Sequence, residues 1–341
     1  MKATKNKDIH TWLERNTYHY SHFEDITKLI KTKKKKELTV SVGIPTLNEA
    51  PTIANVLETI QTNLVEKKKL VDELAVLDSG STDGTVEIAK DMGIPVFSSE
   101  KILKDEGIFY GKGENLWKSI HSLKGDIIAW VDADIRNIHP RFVYGIVGPL
   151  IMRDDLNYVK SFYRRPLKEG VEVKAKGGGR VTELCVRPMF NHLFPDLTGF
   201  IQPLSGEMAG RREVFEKIPF FVGYGVETGM LIDISEMFGV DSMAQVDLDV
   251  RHHRNQTVVS LGRMSFGIMQ VLLKRAHQSG KIELEQDINT FFRRPSGEKG
   301  IYVLFEKDLP EQERPPIEGV NAYHAKSTKH FIRRLKKKIF K

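Results

Sequence analysis

Apolar residues in this chain arrive in two alternating rhythms. Thr39-Val40-Ser41-Val42-Gly43-Ile44-Pro45 reads as a strand that stops at its proline, and Thr46-Leu47-Asn48-Glu49 follows as a polar loop. Between Thr52 and Ile60, the residues Ile53, Val56, Leu57 and Ile60 recur at helical spacing. Glu73-Leu74-Ala75-Val76-Leu77-Asp78 predicts a second strand ending in an acid. Ser79-Gly80-Ser81-Thr82-Asp83-Gly84 is a tight polar loop before a helix from Thr85 to Lys90. Gly93-Ile94-Pro95-Val96-Phe97 predicts a short third strand. Gly111-Lys112-Gly113-Glu114-Asn115 opens a helix toward Ile120, and Ile127-Ile128-Ala129-Trp130-Val131 is a buried strand. Strand, helix and strand in turn predict an α/β fold, a parallel sheet with helices on both faces. Further on, Ala244 to Val250 reads as a strand. Leu261 to His277 reads as a helix with Met264, Ile268, Val271 and Leu272 on one stripe, suited to core packing or a subunit interface. Ile9 to Ile30 reads as a short helical segment, and Ile301 to Phe305 as part of a hairpin.

Composition narrows the class. With 341 residues and 40% hydrophobic content, one large core or a core with an appended lobe is affordable. The single cysteine, Cys185, precludes an intrachain disulfide and a cysteine-rich zinc site; it fits a reducing, cytoplasmic setting and reads as a packed small residue. No apolar stretch follows the Lys-rich start, and no window offers ~18 apolar residues, so neither a signal peptide nor a membrane span is expected. The net charge of +7 is uneven. Lys31 and Lys33 to Lys36 read as a basic linker. Lys329, Arg333, Arg334, Lys336, Lys337, Lys338 and Lys341 are interleaved with Phe331, Ile332, Leu335, Ile339 and Phe340, a pattern that leaves membrane-surface contact open. Base-stacking aromatics are sparse, so no nucleic-acid partner is expected. High Lys and Glu content suits a heat-adapted source.

The sharpest chemical feature is Asp132-Ala133-Asp134 at the exit of the Ile127–Val131 strand. In an open α/β sheet, ligands bind outside the carboxyl ends of the strands. A hard cation such as Mg²⁺ or Mn²⁺ takes oxygen ligands there and bridges them to a diphosphate. Asp134 is the leading metal ligand; Asp132 suits the ribose or the metal through water. Asn48, Glu49, Asp78, Ser79 and Lys112 gather at the same set of strand exits. Each alone is ordinarily a cap or turn residue, but together at one edge they read as a site. Lys112 in its Gly-Lys-Gly loop at a helix start suits a phosphate, without the spacing of a P-loop. Gly177-Gly178-Gly179, directly before Arg180 and Thr182, suits an anion approached by backbone N–H groups and a two-pronged guanidinium.

Ile44-Pro45-Thr46-Leu47-Asn48-Glu49, Leu77-Asp78-Ser79-Gly80-Ser81-Thr82-Asp83 and the Asp132-Ala133-Asp134 strand resemble the nucleotide-sugar half of a GT-A glycosyltransferase. Five further stretches narrow this. They are Lys160 to Pro166, Gly177 to Leu184, Gln202-Pro203-Leu204-Ser205-Gly206-Glu207, Gly223-Tyr224-Gly225-Val226-Glu227 and Val250-Arg251-His252-His253-Arg254-Asn255. Together they resemble the glucosyl-3-phosphoglycerate synthases, retaining enzymes of glycosyltransferase family 81. The match runs over residues 38–265, with fainter echoes in the N-terminal segment and at Arg314-Pro315-Pro316. The resemblance implies a GT-A fold: a Rossmann-like nucleotide-sugar half, a mixed sheet flanked by helices, and helical N- and C-terminal extensions. It implies transfer of glucose from an NDP-glucose, UDP-glucose foremost, to the 2-hydroxyl of 3-phosphoglycerate, for compatible-solute or polysaccharide-precursor synthesis. It also implies Mg²⁺, or Mn²⁺ or another divalent cation, and a homodimer.

Residue by residue, it places Pro45, Thr46, Leu47, Glu49, Ser79, Lys112, Asp132, Ala133, Tyr224, Glu227, Arg251 and Met264 on the nucleotide-sugar. Gly179, Arg180, Thr182 and Asn255 fall on the acceptor, and Asp134 and His253 on the metal. His252 reads as a bystander. Asp134, the backbone carbonyl of Leu204 and Glu227 carry the catalytic roles. Retention leaves two routes open, a double displacement with Glu227 as nucleophile or a front-face attack. The implied organisation is an N-terminal helical segment and basic linker (1–37), a nucleotide-sugar half (38–135), an acceptor half (136–260) and a dimerising C-terminal extension (261–341).

Three rivals share some of these features. An inverting family 2 enzyme acting on a polyprenol phosphate would share the acidic pair, but its processive members carry Gln-x-x-Arg-Trp, which is absent. A sugar-1-phosphate nucleotidyltransferase needs Gly-x-Gly-Thr-Arg near the first strand, also absent. A silent nucleotide-sugar binder would not need the full set Lys112, Asp132, Asp134 and His253. Spacing leaves the choice of base, of glucose against a mannosyl-transferring relative, and of free glycerate as acceptor open.

Overall fold

The computed structural model describes residues 9–165, 167–169, 172–174, 179–252, 257–298 and 300–323. The chain opens with helix α1 (Ile9–Asn16), strand β1 (Thr17–His19) and helix α2 (Ile26–Lys35). The alternating core follows: β2 (Val40–Thr46), α3 (Ala50–Ile60), β3 (Glu73–Asp78), α4 (Thr85–Asp91), β4 (Val96–Ser98), α5 (Lys112–Ser122) and β5 (Ile127–Trp130). Then come α6 (Arg141–Met152), β6 (Tyr158–Arg164), the short ribbon β7 (Leu167–Glu169) and β8 (Glu172–Lys174), α7 (Arg187–Leu193), β9 (Met208–Arg211), α8 (Arg212–Lys217) and β10 (Phe220–Phe221). The chain continues through α9 (Val226–Phe238), β11 (Met243–Val250), α10 (Val258–Gln278), the hairpin β12 (Phe291–Glu298) and β13 (Ile301–Asp308), and β14 (Glu313–Arg314).

Eight strands form one sheet in the order β1-β11-β6-β9-β5-β2-β3-β4. All run parallel except β9, which is antiparallel to both its neighbours, β5 and β6. The sheet is therefore mixed, as the family resemblance implies, and not wholly parallel, as periodicity alone suggests. One reversed strand leaves the carboxyl ends of β2, β3, β5, β6 and β11 on a common edge and adds the amino end of β9 to it. Helices cover both faces. One apolar cluster includes Trp117, Trp130, Phe215 and Leu272; the other includes Val42, Ile53, Leu57 and Val147.

The predicted elements fall where the pattern puts them, with instructive differences. Ile53, Val56, Leu57 and Ile60 are fully buried. β2 continues one residue past Pro45 instead of stopping there. Gly43 accepts from Val131 N–H on the β5 side, so Pro45, two residues on, faces the same side beyond the last β2–β5 pair, where no ladder donor is needed. The helical segment expected over Ile9 to Ile30 is broken by β1, which joins the sheet edge beside β11. Trp12 fixes this docking by donating to the Val240 and Met243 carbonyls. The basic block is the last turn of α2, not a linker. Lys33 is buried against the Lys69 and Leu70 carbonyls and Asp72, and Lys36 reaches the Ile151 carbonyl and Asp154. The glycine run at Gly177 and Gly178 and the basic residues from Lys329 onward lie outside the described residues. Among the described residues, no helix is long and apolar enough to cross a membrane.

The segment after the hairpin returns to the body as a strap. β14 pairs antiparallel with β10. Buried Arg314 grips both carboxylate oxygens of Glu114 at 2.7 Å and donates to the Glu106 and Gly107 carbonyls. Trp117 donates to the Pro315 carbonyl at 2.8 Å. The strap is thus stitched onto the start of α5.

Removing the Arg314 guanidinium leaves part of a buried ion-pair network open. Arg314→Leu is expected to cost about 3 kcal/mol in urea unfolding, and Arg314→Lys to recover less than half of it. A second expectation concerns Lys160 on β6, which is fully buried with its Nζ 3.9 Å from Met208 Sδ. Burial pushes its pKa down to about 8, against the pull of Glu227. An unfolded lysine titrates near ~10.4, so between about pH 8 and that value the unfolded chain binds more protons and stability rises with pH. Denaturation midpoints measured from pH 7 to 10 should show this rise, and Lys160→Met should flatten it.

Candidate active site

The site grows from the common sheet edge. Val131 N–H bonds the Gly43 carbonyl, which ends β5 and turns Asp132-Ala133-Asp134 outward. Asp132 needs a bare backbone opposite it: a Cβ on Gly206 would sit 1.8 Å from Asp132 Oδ2. From the far side of the sheet, β11 sends Arg251. A bulge between Asp247 and Val250, with Asp249 at φ 72°, re-aims the strand end toward the centre. Arg141 ties the Leu248 and Val250 carbonyls, and Asn137 ties the Val250 carbonyl and His252 N–H, so the exits of β5 and β11 are laced together.

Arg251 is the hub of the site and is 4% exposed. Its Nη2 lies 3.0 Å from Asp132 Oδ2 and 2.5 Å from Asp134 Oδ1. Its Nη1 donates to Tyr163 Oη at 2.7 Å and lies 3.4 Å from Glu207 Oε1. Glu207 is wholly buried and reaches this edge because β9 runs backward, so the residue before its start faces the same way as the residues after the ends of β5 and β11. Burial works against the guanidinium's charge, but Glu207, Tyr163, Asp132 and Asp134 hold its pKa well above the ordinary value.

Lys112 forms the second bridge. Its Nζ lies 2.7 Å from Asp132 Oδ1 and 3.0 Å from Glu227 Oε1, at the first turn of α9. Burial opposes both ionised forms, yet the pairing wins: the Lys112 pKa is raised and the Asp132 pKa lowered, the latter by Lys112 and Arg251. The glycines around Lys112 have a packing role. A Cβ on Gly113 would meet the Phe221 carbonyl oxygen at 1.7 Å, and one on Gly111 the Val222 oxygen at 2.4 Å. Glu114 N–H already donates to the Val222 carbonyl. They let α5 press against the segment after β10, which is how Lys112 meets Glu227.

These groups open into a cleft of about 330 Å³. Pro45, Leu47 and Glu49 line it from the β2 exit, and Lys112, Asp132, Ala133 and Asp134 from the centre. Gly179, Arg180 and Thr182 line it from the segment that leads into a π-helical turn beginning at Thr182. Leu204, Tyr224, Glu227, Arg251 and Met264 complete the expected set. Two expected residues stand off the lining. Thr46 is buried with its hydroxyl on Asp78 Oδ1, and Ser79 holds the Thr46 carbonyl with its N–H. His253 and Asn255 lie outside the described residues. His252 is exposed.

Some polar residues at the strand exits build loops instead of lining the cleft. Asp78 accepts from Gly80 and Ser81, and Asp83 accepts from Ala50 and Thr85. Asn48, at φ 58°, accepts from Thr82 N–H while its own N–H donates to Ser81. Other cleft residues were not expected at all. Arg165 lines the cleft and donates to Tyr163 Oη at 3.0 Å. Glu207, Gly206 and Tyr163 support the centre from behind. They fall in the Lys160-to-Pro166 and Gln202-to-Glu207 stretches that carry the resemblance, which gave them no individual role; Gly206 and Glu207 reach this edge through the reversal of β9.

Comparison with known proteins agrees with this geometry. Residues 41–219 match the family model described as Glycosyl transferase family 2. A glucosyl-3-phosphoglycerate synthase from Petrotoga mobilis is 48% identical over 318 residues, 92% of this chain and 97% of the relative. Among solved structures, mannosyl-3-phosphoglycerate synthase from Rubrobacter xylanophilus superposes with a TM-score of 0.84 at 34% identity, covering 91% of this chain and 99% of the other. Glucosyl-3-phosphoglycerate synthase from Mycobacterium tuberculosis, in complex with Mn²⁺, UDP-glucose and phosphoglyceric acid, superposes with a TM-score of 0.74 at 40% identity, covering 86% and 94%. The same enzyme has also been solved with Mg²⁺ and UDP. Fold, cleft and likeness over nearly the whole chain agree: this protein belongs to the glucosyl-3-phosphoglycerate synthase family of glycosyltransferases.

Proposed function

We propose that this chain moves glucose from UDP-glucose to the 2-hydroxyl of 3-phosphoglycerate with retention at the anomeric carbon, giving glucosyl-3-phosphoglycerate. The carrying observation is that one cleft combines the acidic pair Asp132 and Asp134 with Lys112, Arg165 and Arg180. A nucleoside diphosphate with its cation and a small trianionic acceptor need both kinds of wall. The relatives' names and bound ligands support the same pairing of substrates.

The residues present fit a divalent cation. Among the described residues, the four carboxylates Asp132, Asp134, Glu207 and Glu227 are in direct contact with two cations, Arg251 and Lys112. Among the described residues, no three acid or histidine side chains are placed to hold one metal ion by themselves, so oxygens of the diphosphate and His253 would complete the set around Asp134. Mg²⁺ or Mn²⁺ bound there would stabilise charge on the departing diphosphate.

The chain's own residues do the rest. Pro45, Leu47 and Glu49 form the uridine end, with the β2–β3 exits locked by Asn48 and Asp78. Lys112 and Glu227 hold the sugar-phosphate end, with Tyr224 beside them. Gly179, Arg180, Thr182 and Asn255 hold the acceptor's phosphate and carboxylate. In a front-face reaction the acceptor oxygen bonds to the anomeric carbon as the carbon–diphosphate bond breaks. The hydroxyl proton passes to the leaving phosphate oxygen, and the Leu204 carbonyl accepts from that hydroxyl beforehand. Glu227 already pairs with Lys112, which suits holding sugar hydroxyls better than attacking carbon.

The reading extends to assembly and setting. In the β12–β13 hairpin, Ile301, Tyr302, Val303 and Leu304 are 60–74% exposed, an apolar ribbon suited to a second copy of the chain. We take the 1–37, 38–135, 136–260 and 261–341 organisation, a homodimer and a cytoplasmic location as parts of the same proposal. A mannosyl donor is the second reading, favoured by the superposition on the Rubrobacter xylanophilus enzyme. Turnover with UDP-glucose against GDP-mannose, both with 3-phosphoglycerate, decides between them, and the product's anomeric coupling constant reads retention.

Two substitutions test the site. Asp134→Ala should lower kcat at saturating Mg²⁺ by ~100-fold or more while the melting curve is kept, since a bound cation contributes several kcal/mol at the leaving group. A loss below about tenfold removes the metal assignment. Arg180→Ala should raise KM for 3-phosphoglycerate by roughly 30-fold or more and leave that for UDP-glucose nearly unchanged; Arg180→Lys should recover only part. Equal losses on both substrates place Arg180 on the donor side.

A further inference from the structure

The wall of the cleft that carries Tyr224 and Glu227 is held in place from the strap. Gly223 and Tyr224 both donate backbone N–H groups to Glu311, at 3.2 and 3.0 Å to its two carboxylate oxygens, and the Gly225 N–H is also directed to it. The carboxylate thus sits just before the first turn of α9, where an anion is favoured. The surrounding sequence makes room for it. A Cβ on Gly223 would lie 2.6 Å from Glu311 Oε1, and one on Gly267 would lie 2.4 Å from the same atom. Gln270 of α10 clamps the strap where it enters Glu311, donating to the Leu309 carbonyl at 2.9 Å and accepting from Glu311 N–H at 3.2 Å. Val222 N–H donates to the Gln312 carbonyl, so the segment entering the loop is paired to the strap as well.

We propose that Glu311 is a positioning residue for the transfer reaction: by gripping the Gly223–Tyr224–Gly225 backbone from the C-terminal strap, it sets the placement of Tyr224 and Glu227 against the bound sugar. This rests on the reading of Glu227 and Tyr224 as the sugar-facing wall. Glu311 does not line the cleft, so it acts through the loop. Two acceptors facing adjacent N–H groups require the ionised carboxylate; a protonated one would turn a donor toward the loop. Burial, together with the charge of Glu227, raises the Glu311 pKa, against the lowering effect of the three backbone N–H groups. The other charged groups around it are already engaged. On α10, Lys274 and Arg275 pair with Glu313, and Arg275 also pairs with Asp233 of α9; on the strap, Arg314 pairs with Glu114. The grip is therefore lost as pH falls through a pKa raised from the ordinary glutamate value, and activity falls with it.

The test uses the full-length protein and compares Glu311→Gln and Glu311→Asp with the parent. The amide of the glutamine keeps the size but places a donor against one backbone N–H. Amide hydrogen exchange at Gly223 and Tyr224 should quicken about tenfold or more in Glu311→Gln without a matching rise in the central strands. With UDP-glucose and 3-phosphoglycerate, kcat should fall by ~30-fold, since small misplacements of positioning groups are costly. KM for UDP-glucose should rise while KM for 3-phosphoglycerate stays within about twofold. The acid limb of the parent's kcat profile should be missing from Glu311→Gln, and Glu311→Asp should recover part of the rate. Unchanged exchange at residues 223–225 overturns the proposal. So does an equal rise in both KM values with a lowered melting temperature, which is the mark of general destabilisation. If the parent itself transfers no glucose, the functional reading fails, and the exchange measurement still decides whether Glu311 holds the loop.

Discussion

Arg251 is the group on which the centre of this molecule depends. One buried guanidinium contacts three carboxylates and a tyrosine hydroxyl brought from β5, β6 and the segment before β9. Taking such a group out of water is costly unless every direction is answered, and most of its N–H groups are. The arrangement also brings like charges close. Asp132, Asp134 and Glu207 would repel one another across the same few ångströms without the cation between them. Lys112 continues the network outward to Glu227, so the acid pair, the cleft wall at the start of α9 and the sheet are electrostatically one unit.

That unit exists because backbones approach closely at chosen points. Gly206 gives way to Asp132, and Gly113 to the Phe221 carbonyl. Each glycine converts a helix or loop that would otherwise stand off by the width of a methyl group into one that touches. The bulge in β11 does similar work by changing direction, since a regular strand would carry Arg251 past the centre. Among the described residues, four carboxylates at this edge are in direct contact with two cations, Arg251 and Lys112, while Lys160 acts on them from within the core and Arg165 and Arg180 line the cleft.

The C-terminal segment is part of the site's construction. Arg314 on α5 and Glu311 on the loop before α9 fasten the two elements that carry Lys112 and Glu227. Their ion pair at 3.0 Å spans elements that share no sheet strand, and the strap is the common anchor.

Much of this was legible in the sequence. Alternating periods gave the β2-to-β5 core, because burial on both faces forces apolar runs in strands and stripes in helices. The acid pair was legible because a strand exit is a fixed place in an open sheet, and the family resemblance extended the site to Tyr224, Glu227 and Arg251. What periodicity could not give was direction and partnership. The reversal of β9 follows from pairing between distant segments, and with it came the places of Gly206 and Glu207. Asn48, Asp78 and Asp83 looked the same as cleft residues in sequence, since a carboxylate or amide at a strand exit can bind a ligand or its own loop, and only the tertiary fold chose the loop. The close packing of Gly111 and Gly113 against the Phe221 and Val222 carbonyls was likewise invisible to local pattern. Local chemistry thus determined which residues could act, and long-range pairing, which no local pattern encodes, decided which of them meet.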